Sequence, residues 1–383
     1  MHPAEREADT FAARGDLAGA EPLLEQALAA QPNRAETWLK LGSVRRALGN
    51  ASGAMAAVSE ALRLEPLNFM GLMSRARLKE SAGDAVEAAR DYLRALAQLP
   101  PDQPVSPHLR AMVAHAQRQG EAFRDQVAAR WEAVTEAVPG LDPDMRKRAQ
   151  RFTSNALHRT RVYHSEPTHY HYPGLIEREF HDRSAFPWLA QLEAQTDAIR
   201  AEYLAMQQRG AGVGQPYVQY EAGLPVRQWA ALNHSLDWTA FHLTQNGGTI
   251  SVNADACPAT MAALAPIDQP QVKGRSPNAM FSLLKPRTRI PPHTGVANTR
   301  LVCHLPLIVP DGCWFRVGAE TRQWREGEAF VFDDTIEHEA ANDSDAPRVV
   351  LIFDVWHPGL APPEREIVAR LMEAGGLDEG TPL

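Results

Sequence analysis

Two histidines, His293 and His338, stand 45 residues apart, and β-type runs flank the pair: Phe281-Ser282-Leu283-Leu284 before the first, Arg348-Val349-Val350-Leu351-Ile352-Phe353 after the second. Imidazole is the commonest side-chain ligand for first-row metals, because the neutral ring offers a lone pair near physiological pH. His293 lies in Pro291-Pro292-His293-Thr294-Gly295, where prolines fix the backbone on one side and glycine leaves open space on the other. Such a residue makes a poor core histidine and a good ligand. His338 follows the acidic, turn-rich Asp333-Asp334-Thr335-Ile336-Glu337, and Asp334 is placed to orient the ring or a metal-bound water from outside the coordination sphere. Two histidines and a carboxylate mark non-haem Fe(II) oxygenases. The carboxylate normally stands two residues after the first His, and here that residue is Gly295.

Other residues could bind rather than ligate. Arg348 opens an apolar strand, and a guanidinium buried there needs an anion, either a protein carboxylate or a bound acid. His304 sits in Leu301-Val302-Cys303-His304-Leu305, where alternation turns Val302, His304 and Pro306 to one face. Alone it would be a satisfied core histidine. Trp238, in a strand expected over 236–243, needs a partner for its indole N–H whether it is core or cleft. His169 and His171 share one face of an extended segment, which makes a metal site geometrically possible, but no third ligand lies nearby.

These elements must converge, and a closed β-barrel does that by facing distant strands toward one another. The stretch resembles the aspartyl/asparaginyl β-hydroxylases, which are Fe(II)- and 2-oxoglutarate-dependent oxygenases. The shared features are Pro-His-Thr-Gly at 292–295, a second His eleven residues on at His304, Phe-Asp-Asp-x-x-x-His-Glu at 332–339, and Asp-Val-Trp-His-Pro at 354–358. That family lacks the carboxylate ligand, in line with Gly295. The resemblance implies Fe(II) held by His293 and His338, 2-oxoglutarate held by Ser282, His304 and Arg348, and O₂ as co-reactant, with release of succinate and CO₂. It also implies that Arg300, in Asn298-Thr299-Arg300, and Trp238 contact substrate. One departure is Val302, where better-known members carry a second Arg. It weakens the implied preference for an aspartyl side chain, unless Arg287, Arg289 or Arg316 supplies the charge from another strand.

The first hundred residues repeat. Gly15, Gly49 and Gly83 recur at a period of 34, as do Ala20, Ala54 and Ala88, then Ala27, Ala61 and Ala95, then Pro32, Pro66 and Pro100. Small residues within helices and a closing proline at that period are the tetratricopeptide pattern, with helix pairs stacking into a solenoid. Leu17, Leu24 and Leu28, or Leu41, Leu48 and Leu62, supply the apolar stripe. Such arrays bind peptides or partner proteins, or serve only for packing or dimerisation. Prolines at 100, 101, 104 and 107 mark a linker. Helices are expected over 108–138, 144–159, 186–207 and 257–264, a strand over 216–220, and a turn at Gly247-Gly248.

The predicted architecture is therefore an all-α tetratricopeptide solenoid (1–104), a helical bridge (105–160) and a double-stranded β-helix, a jelly-roll or cupin-like barrel with flanking helices (161–383). A length of 383 residues allows two cores. With 39 basic and 47 acidic residues the net charge is −8, which argues against a general nucleic-acid or anionic-membrane binder. Three cysteines favour a reducing compartment, and residues 1–16 lack the apolar core of a signal peptide, so a cytoplasmic location is expected. Three functions are open: a β-hydroxylase of an Asp- or Asn-type residue in a peptide or protein recruited by the solenoid, the same oxygenase acting on a free or carrier-bound small molecule, and a non-catalytic cupin-like binding protein.

Overall fold

The computed structural model describes the chain apart from residues 1, 101–103, 211, 222, 224–225 and 376–383. It divides into two compact units, Met1–Arg159 and Thr160–Leu383. The core of the expected Pro-rich linker, at 101–103, lies outside the described residues.

The first unit opens with three helix pairs: α1 (Pro3–Ala13) with α2 (Leu17–Ala30), α3 (Ala35–Ala47) with α4 (Ala51–Leu64), and α5 (Phe69–Ser81) with α6 (Ala85–Leu96). The same local device makes each turn. Gly15, Gly49 and Gly83 end the first helix of each pair at φ of +81°, +81° and +84°, a conformation only glycine adopts cheaply. Asp16, Asn50 and Asp84 follow, each accepting a hydrogen bond from the backbone N–H three residues on and so capping the second helix. The periodic alanines are all buried, which lets neighbouring helices approach closely. Of the expected leucine stripe, Leu24, Leu28, Leu41 and Leu62 are buried, but Leu48 is 42% exposed because it falls at the end of α3 beside the turn. Two further helices complete the unit, the long α7 (Arg110–Glu136) and α8 (Pro143–Ala156).

The second unit begins with irregular chain, then α9 (Leu189–Glu193) and α10 (Thr196–Gln208). The single helix expected over 186–207 is thus broken, with Thr196 Oγ1 bonding back to the Glu193 carbonyl at the break. Next come β1 (Gln215–Pro216), β2 (Trp238–Gln245), β3 (Gly248–Thr249), α11 (Ser251–Ala254) and α12 (Pro258–Leu264). The strand expected over 216–220 shrinks to β1. The turn lies one residue earlier than expected, at Asn246-Gly247, whose positive φ angles (+52° and +80°) suit a two-residue hairpin. The remaining elements are β4 (Ala279–Leu284), β5 (Thr288–His293), β6 (Arg300–Ile308), β7 (Cys313–Val317), β8 (Glu320–Gln323), β9 (Phe330–Phe332), β10 (His338–Asn342), β11 (Arg348–Trp356) and α13 (Pro362–Ala374).

These strands form two antiparallel sheets. The larger runs β1-β2-β4-β11-β6-β9 with β3 on β2, and the smaller runs β5-β10-β7-β8. Alternation along β6 and β11 sorts the chemistry. Leu301, Cys303, Leu305, Val349, Leu351 and Phe353 pack in one core with the helices α9, α10 and α12. Val302 and Val350 turn the other way into a second core shared with Ile290, Phe315, Val317 and Ala340 of the smaller sheet. By the same alternation His304 and Arg348 point between the sheets. Both faces of β11 are buried, which explains its nearly unbroken apolar run.

Candidate functional site

His293 ends β5 and His338 begins β10, and the two are register partners across the strand pair. Their ring centroids lie 4.0 Å apart with planes inclined by 51°. His293 Nδ1 stands 2.7 Å from the Pro291 carbonyl, and His338 Nδ1 stands 3.1 Å from that of Ile336. A carbonyl can only accept, so each Nδ1 carries the proton and each Nε2 keeps its lone pair. Burial, and for His293 the neighbouring imidazole, pushes the pKa of His293 down to about 3; burial pushes that of His338 down to about 4. Both rings are thus neutral, the form that binds metals.

Among the described residues no group of three or more His, Cys, Asp or Glu side chains is placed to hold a metal. Asp334 comes near without joining the pair. A side chain at Gly295 would overlap the Asp334 carboxylate, so residue 334 fills the space that a carboxylate two residues after His293 would need. The Gly295 N–H also donates to the Asp334 carbonyl at 2.7 Å, locking the two segments together. Asp334 Oδ2 takes a 3.0 Å ion pair from Arg300, while Oδ1 is buried without a partner.

A cavity of roughly 490 Å³ contains all eight residues singled out from the sequence: Trp238, Ser282, His293, Arg300, His304, Asp334, His338 and Arg348. Arg348 is the largest fully buried side chain among the described residues, 1% exposed. Among the described residues no carboxylate pairs with it. Its Nη1 makes only long, 3.4 Å approaches to Ser282, its Nε has no partner, and its face lies 4.7 Å from the Trp324 ring. Burial lowers its pKa to about 10, so it stays charged. A buried, unpaired guanidinium costs several kcal/mol, roughly, unless an anion joins it. His304 sits among Phe315, Phe330 and Phe332, its Nδ1 unpartnered, with its pKa pushed well below the usual value first by burial and then by Arg348.

Trp238 finds its partner in Ser282: the indole N–H donates to Ser282 Oγ at 3.0 Å. Its ring stacks on Tyr217 at 3.7 Å, a contact between separate segments that the sequence did not reveal. Trp324 beneath Arg348 was also missed; no spacing signal marks it. Arg287, Arg289 and Arg316 do not supply the extra charge considered for Val302. Arg287 pairs with Asp345, Arg289 with Asp343, and Arg316 with Glu337 and Glu339, and none of the three lines the cavity. His169 and His171 also lie outside it.

Residues 193–358 match the family model for aspartyl/asparaginyl β-hydroxylase. Residues 11–78 match a tetratricopeptide-repeat model. The human aspartyl/asparaginyl β-hydroxylase is 34% identical over 177 residues, 45% of this chain and 22% of that protein, and its mouse counterpart is 41% identical over 133 residues, 34% and 17%. An ornithine lipid ester-linked acyl 2-hydroxylase of Rhizobium tropici is 35% identical over 194 residues, 50% of this chain and 65% of that protein. The chain therefore spans less than a quarter of each of the two mammalian proteins, and its match to the family model covers residues 193–358. All eight cavity residues fall within it.

Proposed function

We propose that the hydroxylase domain is an Fe(II)- and 2-oxoglutarate-dependent dioxygenase that hydroxylates the β-carbon of an Asp- or Asn-type residue in a peptide or protein substrate. The observation that carries this reading is the facing pair of neutral imidazoles, each with its Nδ1 turned to a backbone carbonyl, in one cavity with an unpaired buried guanidinium. The donor set fits the groups. His293 and His338 would hold the metal, and the partnerless Arg348 Nε, with Ser282 and His304, fits a carboxylate of the cosubstrate. When bound, iron and 2-oxoglutarate with O₂ supply an oxidation that releases succinate and CO₂ and places one oxygen atom in a C–H bond.

The protein's own part is positional. The Pro291 and Ile336 carbonyls fix the two tautomers, Asp334 Oδ1 is free to accept from a water near the rings, and the aromatic residues around His304 exclude bulk solvent. The helical unit would recruit the substrate or a partner. A cytoplasmic location belongs to the same reading, supported by three cysteines that form no disulfide. Among the described residues no helix is long and apolar enough to cross a membrane.

The Rhizobium tropici relative, aligned over the larger share of its own length, favours a second reading in which the same chemistry acts on a small or lipid-linked molecule. Succinate release tests the first reading. The full chain with Fe(II) and 2-oxoglutarate should release succinate, and His293→Ala, His338→Ala and Arg348→Met should not. No succinate from the wild type, with metal and cosubstrate demonstrably absent from the protein, would leave a binding protein instead. Product masses after incubation with peptides, and separately with small amides and lipids, then decide the substrate class.

A further inference from the structure

The cavity has two electrostatically different ends. Among the described lining residues there are two cations, Arg348 and Arg300, and they enter from opposite ends of β11: Arg348 pairs in register with Leu284, Arg300 with Trp356. Arg348 has no carboxylate partner. Arg300 has Asp334 at 3.0 Å, and Asp354 of β11 also acts on it. Asp354 is held in place by Ser276 Oγ at 2.6 Å and by the Asn278 N–H at 2.9 Å. One guanidinium thus faces two carboxylates at this end.

The neighbours add no positive charge. Met280 on β4 and Val302 on β6 line the cavity, and polar lining residues such as Tyr217, His242, Gln245, Asn246 and Asn278 are uncharged donors or acceptors. Burial holds His242 neutral, with a pKa of about 4. Three polar atoms here lack partners: Arg300 Nε, which can only donate, and Asn246 Oδ1 and His242 Nδ1.

We propose that the Arg300 end of the cavity selects an uncharged side chain that both donates and accepts hydrogen bonds, a carboxamide above all, and rejects a carboxylate. The proposal rests on the oxygenase reading and names the substrate side chain for it. A carboxamide offers an oxygen to Arg300 Nε and N–H groups to an unpartnered acceptor. A carboxylate offers only acceptors and adds negative charge beside the Asp334 carboxylate that already pairs with Arg300, and such like-charge contact is costly in a desolvated site.

Binding without turnover tests this. The full chain is loaded with Zn(II) and 2-oxoglutarate, and cosubstrate uptake is measured first. Acetyl-Gly-Asn-Gly-amide and acetyl-Gly-Asp-Gly-amide are then titrated at neutral pH and followed by ligand-observed NMR. The Asn peptide is expected to bind at least roughly tenfold more tightly, and Val302→Arg is expected to shift the ratio toward the Asp peptide. If V302R does not fold, Met280→Lys carries the same expectation. Equal binding, tighter binding of the Asp peptide, or no binding of either overturns the proposal. Failure of 2-oxoglutarate to bind would instead overturn the oxygenase reading.

Discussion

His293 and His338 face each other because β5 and β10 pair them in register, not because a loop carries one to the other. Directly opposed residues on antiparallel strands have Cβ atoms about 5 Å apart. Two imidazoles on such a pair meet with little freedom left to lose. The geometry of the site is therefore a property of the sheet, and it should survive changes in the surrounding loops.

Arg348 sets function against stability. Removing a buried unpaired charge relieves its desolvation cost, so Arg348→Met should leave the unliganded protein as stable as the wild type or more so, by up to about 4 kcal/mol. The same change should abolish the rise in Tm with 2-oxoglutarate, which at a hundredfold excess over Kd would reflect about 2.7 kcal/mol in the wild type. Thermal scans with and without the cosubstrate measure both effects.

Gly295 cannot be given a carboxylate without a second change. In Gly295→Asp the new side chain overlaps Asp334 and sets two carboxylates together, so destabilisation of at least about 2 kcal/mol is expected. Adding Asp334→Gly should recover most of the loss, because Arg300 then regains a carboxylate from residue 295. Denaturant unfolding of the single and double variants would show the recovery. A double variant no more stable than the single would contradict the shared space.

Acid should destabilise the second unit before it affects the first. Burial holds His181, His242, His293 and His338 neutral, with pKa values of about 3, 4, 3 and 4. In the unfolded chain these groups titrate near 6.5, so between that value and about 4 the unfolded state binds more protons. The stability they contribute is complete above about 6.5 and is lost as pH falls, by up to about 1.4 kcal/mol per pH unit for each histidine. Asp333, raised to about 7 mainly by burial, has the opposite sign: its contribution is complete below the unfolded carboxylate value and is lost as pH rises toward 7. Four groups outweigh one, so Tm should fall on acidification from pH 6.5 to 4, and His181→Gln should reduce the slope by about one proton. A Tm that rises over that interval would contradict the assignment.

In the helical unit, Gly49→Ala should cost about 1 kcal/mol, because φ of +81° is strained for alanine even though no atom obstructs its Cβ. Asn50→Ala should cost about 1 kcal/mol by removing the cap on the Gly53 N–H. Urea unfolding followed by circular dichroism measures both. Equal effects at two neighbouring residues would have different origins, one in backbone strain and the other in a lost hydrogen bond.

The helical repeat was legible because each of its parts is local. Gly49, Asn50 and Gly53 make their turn and cap within five residues, and the pattern recurs at the same spacing. Two of the cavity residues stood out for another reason, since the Pro and Gly beside His293 and the apolar run after Arg348 are unusual surroundings for those side chains, whereas Ser282, His304, Arg300 and Trp238 were named through the family resemblance. What stayed hidden depends on strands meeting. The ion pair of Arg300 with Asp334 joins residues 34 positions apart, and nothing in either segment names the other. The overlap of Asp334 with the space beside Gly295, the stack of Tyr217 on Trp238 and the cover of Trp324 over Arg348 are of the same kind. The break between α9 and α10 was missed because the apolar spacing runs through it while a single Thr196 hydroxyl interrupts the backbone.

Two indoles converge on the guanidinium end of the cavity, Trp238 through Ser282 Oγ and Trp324 through its ring face. Any anion that draws Arg348 or Ser282 toward itself must alter the field felt by both chromophores. The unmodified chain therefore carries its own optical gauge of occupancy, readable as a change in tryptophan emission without a label or a coupled assay.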